Sequence, residues 1–344
     1  MFKMRKLYQP VPIRKTCMPN RADNPLIVCL CITCFLIAAG CAQQEERAVD
    51  LYVDAVMYKE LEDNQAAIEK LNQAVQQNKR FSLAYSLLGE IYQEMQDYEK
   101  SAASYEQATQ LNPWSFNDYF SLGRVYGIMK EFTKAVNAYV KACELKPGHL
   151  EAHVSAAKSY YEVKDYKNAL VYGQRAEAID PNASEVRKLI GDIYESQKDH
   201  EQAISSYKRA LEIDSNNPQI MTALALAYLR SNQNEPCKEL LTQVLQMQPG
   251  NGAAHQYLGY CYLRLNEIDK AIESYDRAIK INDKDWEAYR GLGVAYMLKA
   301  IGDNNELLKS KAIYQWRLSL DIKPDQPRRE LLEKLIEKYS QQQQ

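Results

Sequence analysis

The stretch SLAYSLLGEIYQEMQDYEKSAASYEQATQLNPWS, residues 82–115, decides the fold. Its first half places Tyr85, Leu88, Gly89 and Tyr92 at offsets of three, one and three, which is one face of a helix. Its second half does the same with Ser101, Tyr105 and Ala108. Pro113 then stops the second helix, because proline cannot donate within one. Outward in both directions the pattern returns every 34 residues. The repeats run 48–81, 82–115, 116–149, 150–183, 184–217, 218–251, 252–285 and 286–326, the first seven without insertion or deletion.

Numbering columns within the repeat exposes its mechanics. Column 11 is tyrosine in all eight repeats: Tyr58, Tyr92, Tyr126, Tyr160, Tyr194, Tyr228, Tyr262 and Tyr296. These are eight of the 25 tyrosines, in a chain with only 6 phenylalanines. Column 8 is always Gly or Ala, and column 20 is small throughout. Small residues at 8, 20 and 27 let two helices approach closely, and large residues at 4, 11 and 24 fill the remaining space. Column 16, just before the second helix, is acidic in six repeats (Asp63, Asp97, Glu131, Asp165, Asp199 and Glu267), where the positive end of the helix dipole favours an anion.

This 34-residue helix-turn-helix pattern resembles the tetratricopeptide family. The resemblance covers about Ala48 to Gln326. It implies an all-α fold, a right-handed α–α superhelix of eight repeats, with a capping helix over 327–340 and a disordered tail at 341–344. Leu331, Leu332, Leu335 and Ile336 supply the stripe by which that last helix covers the stack. The sequence departs from the family in three ways. The usual glycine at column 15 is replaced by Gln96, Lys130, Lys164, Lys198, Asn232 and Asn266, so these turns are less relaxed. Repeat one has Asp54 at the apolar column 7, as a terminal cap would. Repeat eight carries seven extra residues around Ile301 to Leu307.

The amino terminus follows a different rule. Lys3, Arg5, Lys6, Arg14, Lys15 and Arg21 precede the apolar run Leu26–Ala39, and Gly40-Cys41 follow. That is the basic, apolar, small-residue order of an export signal, and 14 apolar residues fall short of the ~20 that span a bilayer. Leu36 to Cys41 resembles a bacterial lipobox, with Ala38 where Leu is commonest. The resemblance implies residues 1–40 as a lipoprotein signal peptide, cleavage before Cys41, and acylation of Cys41. Met18 lies at a more usual start distance. Ala42 in place of Asp is similar to the enteric pattern for export to the outer membrane, facing the periplasm. Residues 41–47 would form a short tether, holding the first repeat against the membrane.

Chemistry is sparse. There is no His-Glu-x-x-His, phosphate loop, Gly-x-Ser-x-Gly or dinucleotide fingerprint. Catalysis, a metal, a cofactor and a small-molecule substrate are not expected. The net charge is −2, and residues 1–40 hold +5 of it, so the body is acidic and has no overall field for nucleic acid. The four histidines sit at regular columns and read as structural. Cys143, Cys237 and Cys261 lack metal-ligand spacing. Cys237 and Cys261 lie on adjacent helices, where they either pair in an oxidising compartment or pack as small buried thiols.

Binding is what remains. In this family columns 2, 5, 6, 9, 12 and 13 line a concave groove. Here they supply Phe120, Arg124, Lys158 and Tyr161 in a mixed first half. The second half is apolar and arginine-bearing: Leu226, Arg230, Tyr257, Tyr260, Arg264 and Arg290. Either these side chains hold a partner segment or they pack against the next repeat. The resemblance implies a lipid-anchored scaffold or adaptor of the bacterial envelope with protein partners. The alternative is an accessory subunit of an envelope enzyme, such as a polysaccharide synthase or glycosyltransferase.

Overall fold

The computed structural model describes the backbone of residues 25–341 and the side chains of residues 43–341. The expected signal segment 1–40 and the acylation residue Cys41 lie outside the described side chains, and residues 342–344 of the expected tail lie outside the described residues. Among the described residues there are only helices. They divide between two units, Met1–Pro113 and Trp114–Gln344.

The first unit holds α1 (Pro25–Glu60), α2 (Asn64–Gln77), α3 (Ser82–Glu94) and α4 (Tyr98–Leu111). The second holds α5 (Phe116–Ile128), α6 (Phe132–Leu145), α7 (Leu150–Glu162), α8 (Tyr166–Ile179), α9 (Ser184–Ser196), α10 (His200–Ile213), α11 (Pro218–Arg230), α12 (Asn234–Met247), α13 (Gly252–Arg264), α14 (Ile268–Ile281), α15 (Trp286–Asp303), α16 (Glu306–Ile322) and α17 (Arg329–Gln341). Each odd helix up to α15 pairs with the even helix after it, which is the tetratricopeptide architecture. Within the second unit successive first helices also touch: α7 meets α9, α9 meets α11, α11 meets α13 and α13 meets α15. From α7 to α15 the first helices thus form one continuous face. No helix among the described residues is long and apolar enough to cross a membrane.

The turns explain the missing glycines. Glu62, Gln96, Lys130, Lys164, Lys198, Asn232 and Asn266, all at column 15, adopt left-handed backbone with φ between 60° and 64°. The next N–H then reaches back to the column-11 carbonyl, as Asp97 does to Tyr92 at 2.9 Å and Gln233 to Tyr228 at 2.8 Å. This closes the first helix. A side chain in that conformation costs about 1–2 kcal/mol. Asp63, Asp97, Asp165 and Asp199 then cap the second helix by accepting from the N–H three residues on. Glu131 and Glu267 occupy the same place without a side-chain cap bond.

Column 24 packs on column 8, and size is traded across the contact. Where column 8 is glycine, column 24 is aromatic: Gly89 with Tyr105, Gly123 with Tyr139, Gly191 with Tyr207, Gly259 with Tyr275 and Gly293 with Trp316. Where column 8 is Ala55, Ala157 or Ala225, column 24 is Leu71, Gly173 or Leu241. A methyl on Gly191 would lie 2.5 Å from the Tyr207 ring, so the close approach requires glycine.

Column 4 ties one repeat to the previous one. His153 Nε2 donates to the Pro147 carbonyl at 2.9 Å, and His255 Nε2 donates to Pro249 at 3.1 Å. Arg187 makes the same link to Pro181 through Nε and Nη2, at 3.2 and 3.1 Å. Burial lowers the His153 pKa, which keeps the ring neutral for this role.

Repeat eight takes up its extra residues as helix, not as loop: α15 has 18 residues and α16 has 17, against 13 and 14 in repeat seven. At the amino-terminal end, residues 43–47 continue α1 as helix. The expected short tether is therefore helical, with a rise of about 1.5 Å per residue. Gln341 closes α17, so the helix includes the first residue of the expected tail.

Candidate functional site

The face made by the first helices carries two hollows in the second unit. The central one, about 630 Å³, lies between α9 and α11 and is lined by Tyr161, Asp192, Glu195, His200, Tyr207, Leu226 and Arg230. Its carboxylates are already paired. The Glu195 side chain is 8% exposed, and its carboxylate stands 2.5 Å from both Arg230 Nη1 and His200 Nδ1. Tyr207 donates its hydroxyl to Asp192 at 2.7 Å, and Lys188 holds the other Asp192 oxygen at 2.8 Å. Burial, with the Asp192 charge beside it, pushes the Tyr207 hydroxyl pKa up. Ser196 donates to the Tyr161 hydroxyl at 2.9 Å.

The second hollow, about 390 Å³, opens between α13, α15 and α17. Tyr260, Leu263, Val294, Leu331 and Leu335 wall it, Tyr275 and Trp316 lie beneath, and Arg290 and Arg328 stand with them. Tyr260 is 43% exposed, Val294 37% and Leu331 53%. Trp316 is held by its indole N–H, which donates to the Arg290 carbonyl at 3.3 Å.

The groove residues expected from the sequence divide among several places. Tyr161, Leu226 and Arg230 meet in the central hollow, and Tyr260 and Arg290 meet in the carboxy-terminal one. Phe120 is half-buried in an aromatic group, stacked on Phe116 at 5.6 Å and edge-on to Tyr139 and His149. Arg124 and Lys158 are exposed and line neither hollow. Tyr257 is half-buried against the core around Leu224 and Leu258, where burial raises its hydroxyl pKa.

The arginines work between repeats. Arg230 reaches back to Glu195. Arg264 donates to the Asn232 side chain at 2.6 Å. Arg290 donates to the Pro327 carbonyl at 3.2 Å and lies 4.8 Å from the centre of the Trp286 ring. Sequence reasoning missed Glu195, Tyr207, Trp316 and Leu331 as members of these hollows. A signal existed for Glu195. Columns 12 and 13 of successive repeats lie 35 residues apart, and both the Tyr161–Ser196 and Glu195–Arg230 pairs have that spacing.

The thiols among the described residues, Cys143, Cys237 and Cys261, are all free and buried. Burial pushes the Cys143 pKa up to about 11, and a hydrogen bond with Cys237 together with burial pushes Cys261 up. Such thiols are poor nucleophiles at neutral pH. Among the described residues no group of three or more His, Cys, Asp or Glu side chains could hold a metal ion.

Comparison with known proteins agrees with this architecture. Tetratricopeptide-repeat models match residues 57–115 and 238–294, and a model described as TPR repeat matches 191–232. A model of anaphase-promoting complex, cyclosome, subunit 3 matches residues 94–176. No catalytic family is among these matches. No curated protein matches the chain. Among solved structures, the C-terminal part of a repeat-containing protein from Cytophaga hutchinsonii aligns with a TM-score of 0.57 at 14% identity, over 71% of this chain and 97% of that one. The Cut9–Hcn1 hetero-tetramer of the anaphase-promoting complex aligns with a TM-score of 0.53 at 14% identity, over 80% of this chain. The alignment spans 52% of the Cut9–Hcn1 chain. At this identity the likeness is one of fold.

Proposed function

We propose that this chain of tetratricopeptide repeats is a non-catalytic adaptor, fixed by lipid on Cys41 to a membrane of the bacterial envelope, which holds a segment of a partner protein on the face of its first helices. The observation that carries the binding half is the carboxy-terminal hollow. There Tyr260, Val294 and Leu331 remain exposed around a floor of Tyr275 and Trp316. Aromatic and aliphatic side chains clustered in a concavity are what binding hot spots are made of. The central hollow offers less, because its carboxylates are already satisfied within the chain.

The anchoring half rests on the basic, apolar, small-residue order that ends at Cys41. Two acyl chains hold a protein to a bilayer stably where one holds marginally.

One preparation tests both halves. The full-length chain is extracted in detergent from its own cells and compared with Cys41→Ser and with Tyr260→Ala/Leu331→Ala. The mature protein is expected to begin at an acylated Cys41, and Cys41→Ser leaves the membrane fraction. The double variant stays in the membrane and loses the co-purifying partner. An unmodified Cys41 overturns the anchor. Undiminished recovery of the same partners by the double variant overturns the groove assignment.

A further inference from the structure

Column 24 holds Tyr207 in repeat five and Tyr275 in repeat seven, and each tyrosine lies beneath a hollow. Both rings rest on the column-8 glycine of their own repeat, Gly191 and Gly259. They differ at the hydroxyl. Tyr207 donates to Asp192, at column 9 of its own repeat, and Lys188 holds the other Asp192 oxygen. Column 9 of repeat seven is Tyr260, so the equivalent acid is absent. Among the described residues no group accepts from the Tyr275 hydroxyl, although Tyr275 is only 2% exposed. The hydroxyl opens onto the hollow instead. It lies over Gly291, where a methyl would stand 2.7 Å from its oxygen, and Gly291 has no side chain to close over it. Burial raises the Tyr275 pKa, so at neutral pH the group is an uncharged donor.

Two cations line the same hollow. Arg290 precedes Gly291 in the chain and donates to the carbonyl of Pro327, the residue before Arg328. Among the described residues neither arginine pairs with a carboxylate, whereas Arg230 of the central hollow has Glu195. The last helix brings no acid to the site: α17 contributes leucines behind Arg328. Glu287 is the acid among the lining residues, and it stands toward Tyr257, where burial and then the Glu287 charge raise the hydroxyl pKa. The carboxy-terminal hollow thus presents a tyrosine hydroxyl and guanidinium groups, as the central one does, without the carboxylates that receive them there.

We propose that the partner segment held in this hollow carries an Asp or Glu side chain beside a large apolar one. The carboxylate takes the part that Asp192 plays in repeat five: it accepts from the Tyr275 hydroxyl and pairs with Arg290 and Arg328. The apolar side chain fills the space between Tyr260, Val294 and Leu331. Charge complementarity selects the acid. A basic segment meets two unpaired guanidinium groups, and a segment without an acid covers the hydroxyl and leaves it unsatisfied, which costs affinity. This inference rests on the binding proposed for the hollow and adds what the partner must present.

The test selects random peptides, displayed without a free carboxyl end, on the full-length protein in detergent. The selected sequences are then remade as acetylated, amidated peptides and titrated. They are expected to carry Asp or Glu beside Trp, Phe or Leu, and to bind more weakly as salt rises. Tyr275→Phe deletes only a hydroxyl with no acceptor in the chain, so it keeps the parent's thermal unfolding and weakens these peptides by about tenfold. Arg328→Gln weakens them several-fold. Tyr207→Phe breaks the bond to Asp192, so it lowers the unfolding temperature and leaves peptide affinity unchanged. Selected peptides without an acid, acidic peptides indifferent to Tyr275→Phe, or no selected peptide at all would each overturn the inference. If acid-free peptides are nonetheless lost from Tyr260→Ala/Leu331→Ala, binding at the hollow stands and only its acidic preference falls. Peptides indifferent to that double variant overturn both.

Discussion

The central hollow and the carboxy-terminal hollow both draw on columns 6, 9, 12 and 24 of the repeat, the second with α17 added, yet they invite different use. In the central one, Glu195, Asp192, Arg230, His200 and Tyr207 satisfy one another, and the Glu195 side chain, 8% exposed, is the anchor of the set. In the other, Tyr260, Val294 and Leu331 stand in solvent over Trp316 and Tyr275, with no polar network to occupy them. The lesson concerns charge in repeat grooves. A column of arginines and acids suggests partner contacts, but neighbouring repeats consume those charges. What remains for a partner is chiefly the apolar surface they leave uncovered.

The comparison breaks most directly at the floor of the apolar hollow. Trp316→Ala removes a side chain 2% exposed and is expected to lower stability by about 3–5 kcal/mol in thermal unfolding. Partner binding should go with it. Tyr260→Ala combined with Leu331→Ala should leave unfolding unchanged and weaken the partner by about 2 kcal/mol, roughly thirtyfold, in a titration. In the central hollow the effects should reverse. Glu195→Ala leaves Arg230 and His200 without their carboxylate and should lower stability by about 1.5 kcal/mol while sparing partner affinity. Smallest are the turns at Lys130 and Lys164, which touch neither hollow. Lys130→Gly or Lys164→Gly relieves a left-handed side chain and should raise stability by about 0.5 kcal/mol each, with affinity unmoved.

Much of this was legible because the repeat converts distance along the chain into contact in space. The recurrence of Tyr58 through Tyr296 gave the period, and the helices of repeats two to eight begin at the repeat starts. The non-glycine residues at column 15 pointed to strained turns, and the backbone there is left-handed. The hollow at α17 was not legible. Leu331 and Leu332 are neighbours in one apolar stripe, but Leu332 is 6% exposed and Leu331 53%. Only the docking angle of the last helix separates a core residue from a wall of the site. The insertion in repeat eight was similarly ambiguous. Its length was plain, but nothing in Ile301 to Leu307 forces a loop, and α15 and α16 simply run on. The trade between column 8 and column 24 was visible in principle, since both columns can be read from the sequence, but it became meaningful only when the rings were seen lying on the glycines.

The central claim is that partners are held at the carboxy-terminal hollow and not at the central one. Its most direct test is a pair of photoreactive substitutions in the full-length chain in its own cells, at Tyr260 in one hollow and Tyr161 in the other. The account predicts a partner cross-linked from position 260 and none from position 161. Cross-linking from position 161 alone, or from neither position, would contradict it.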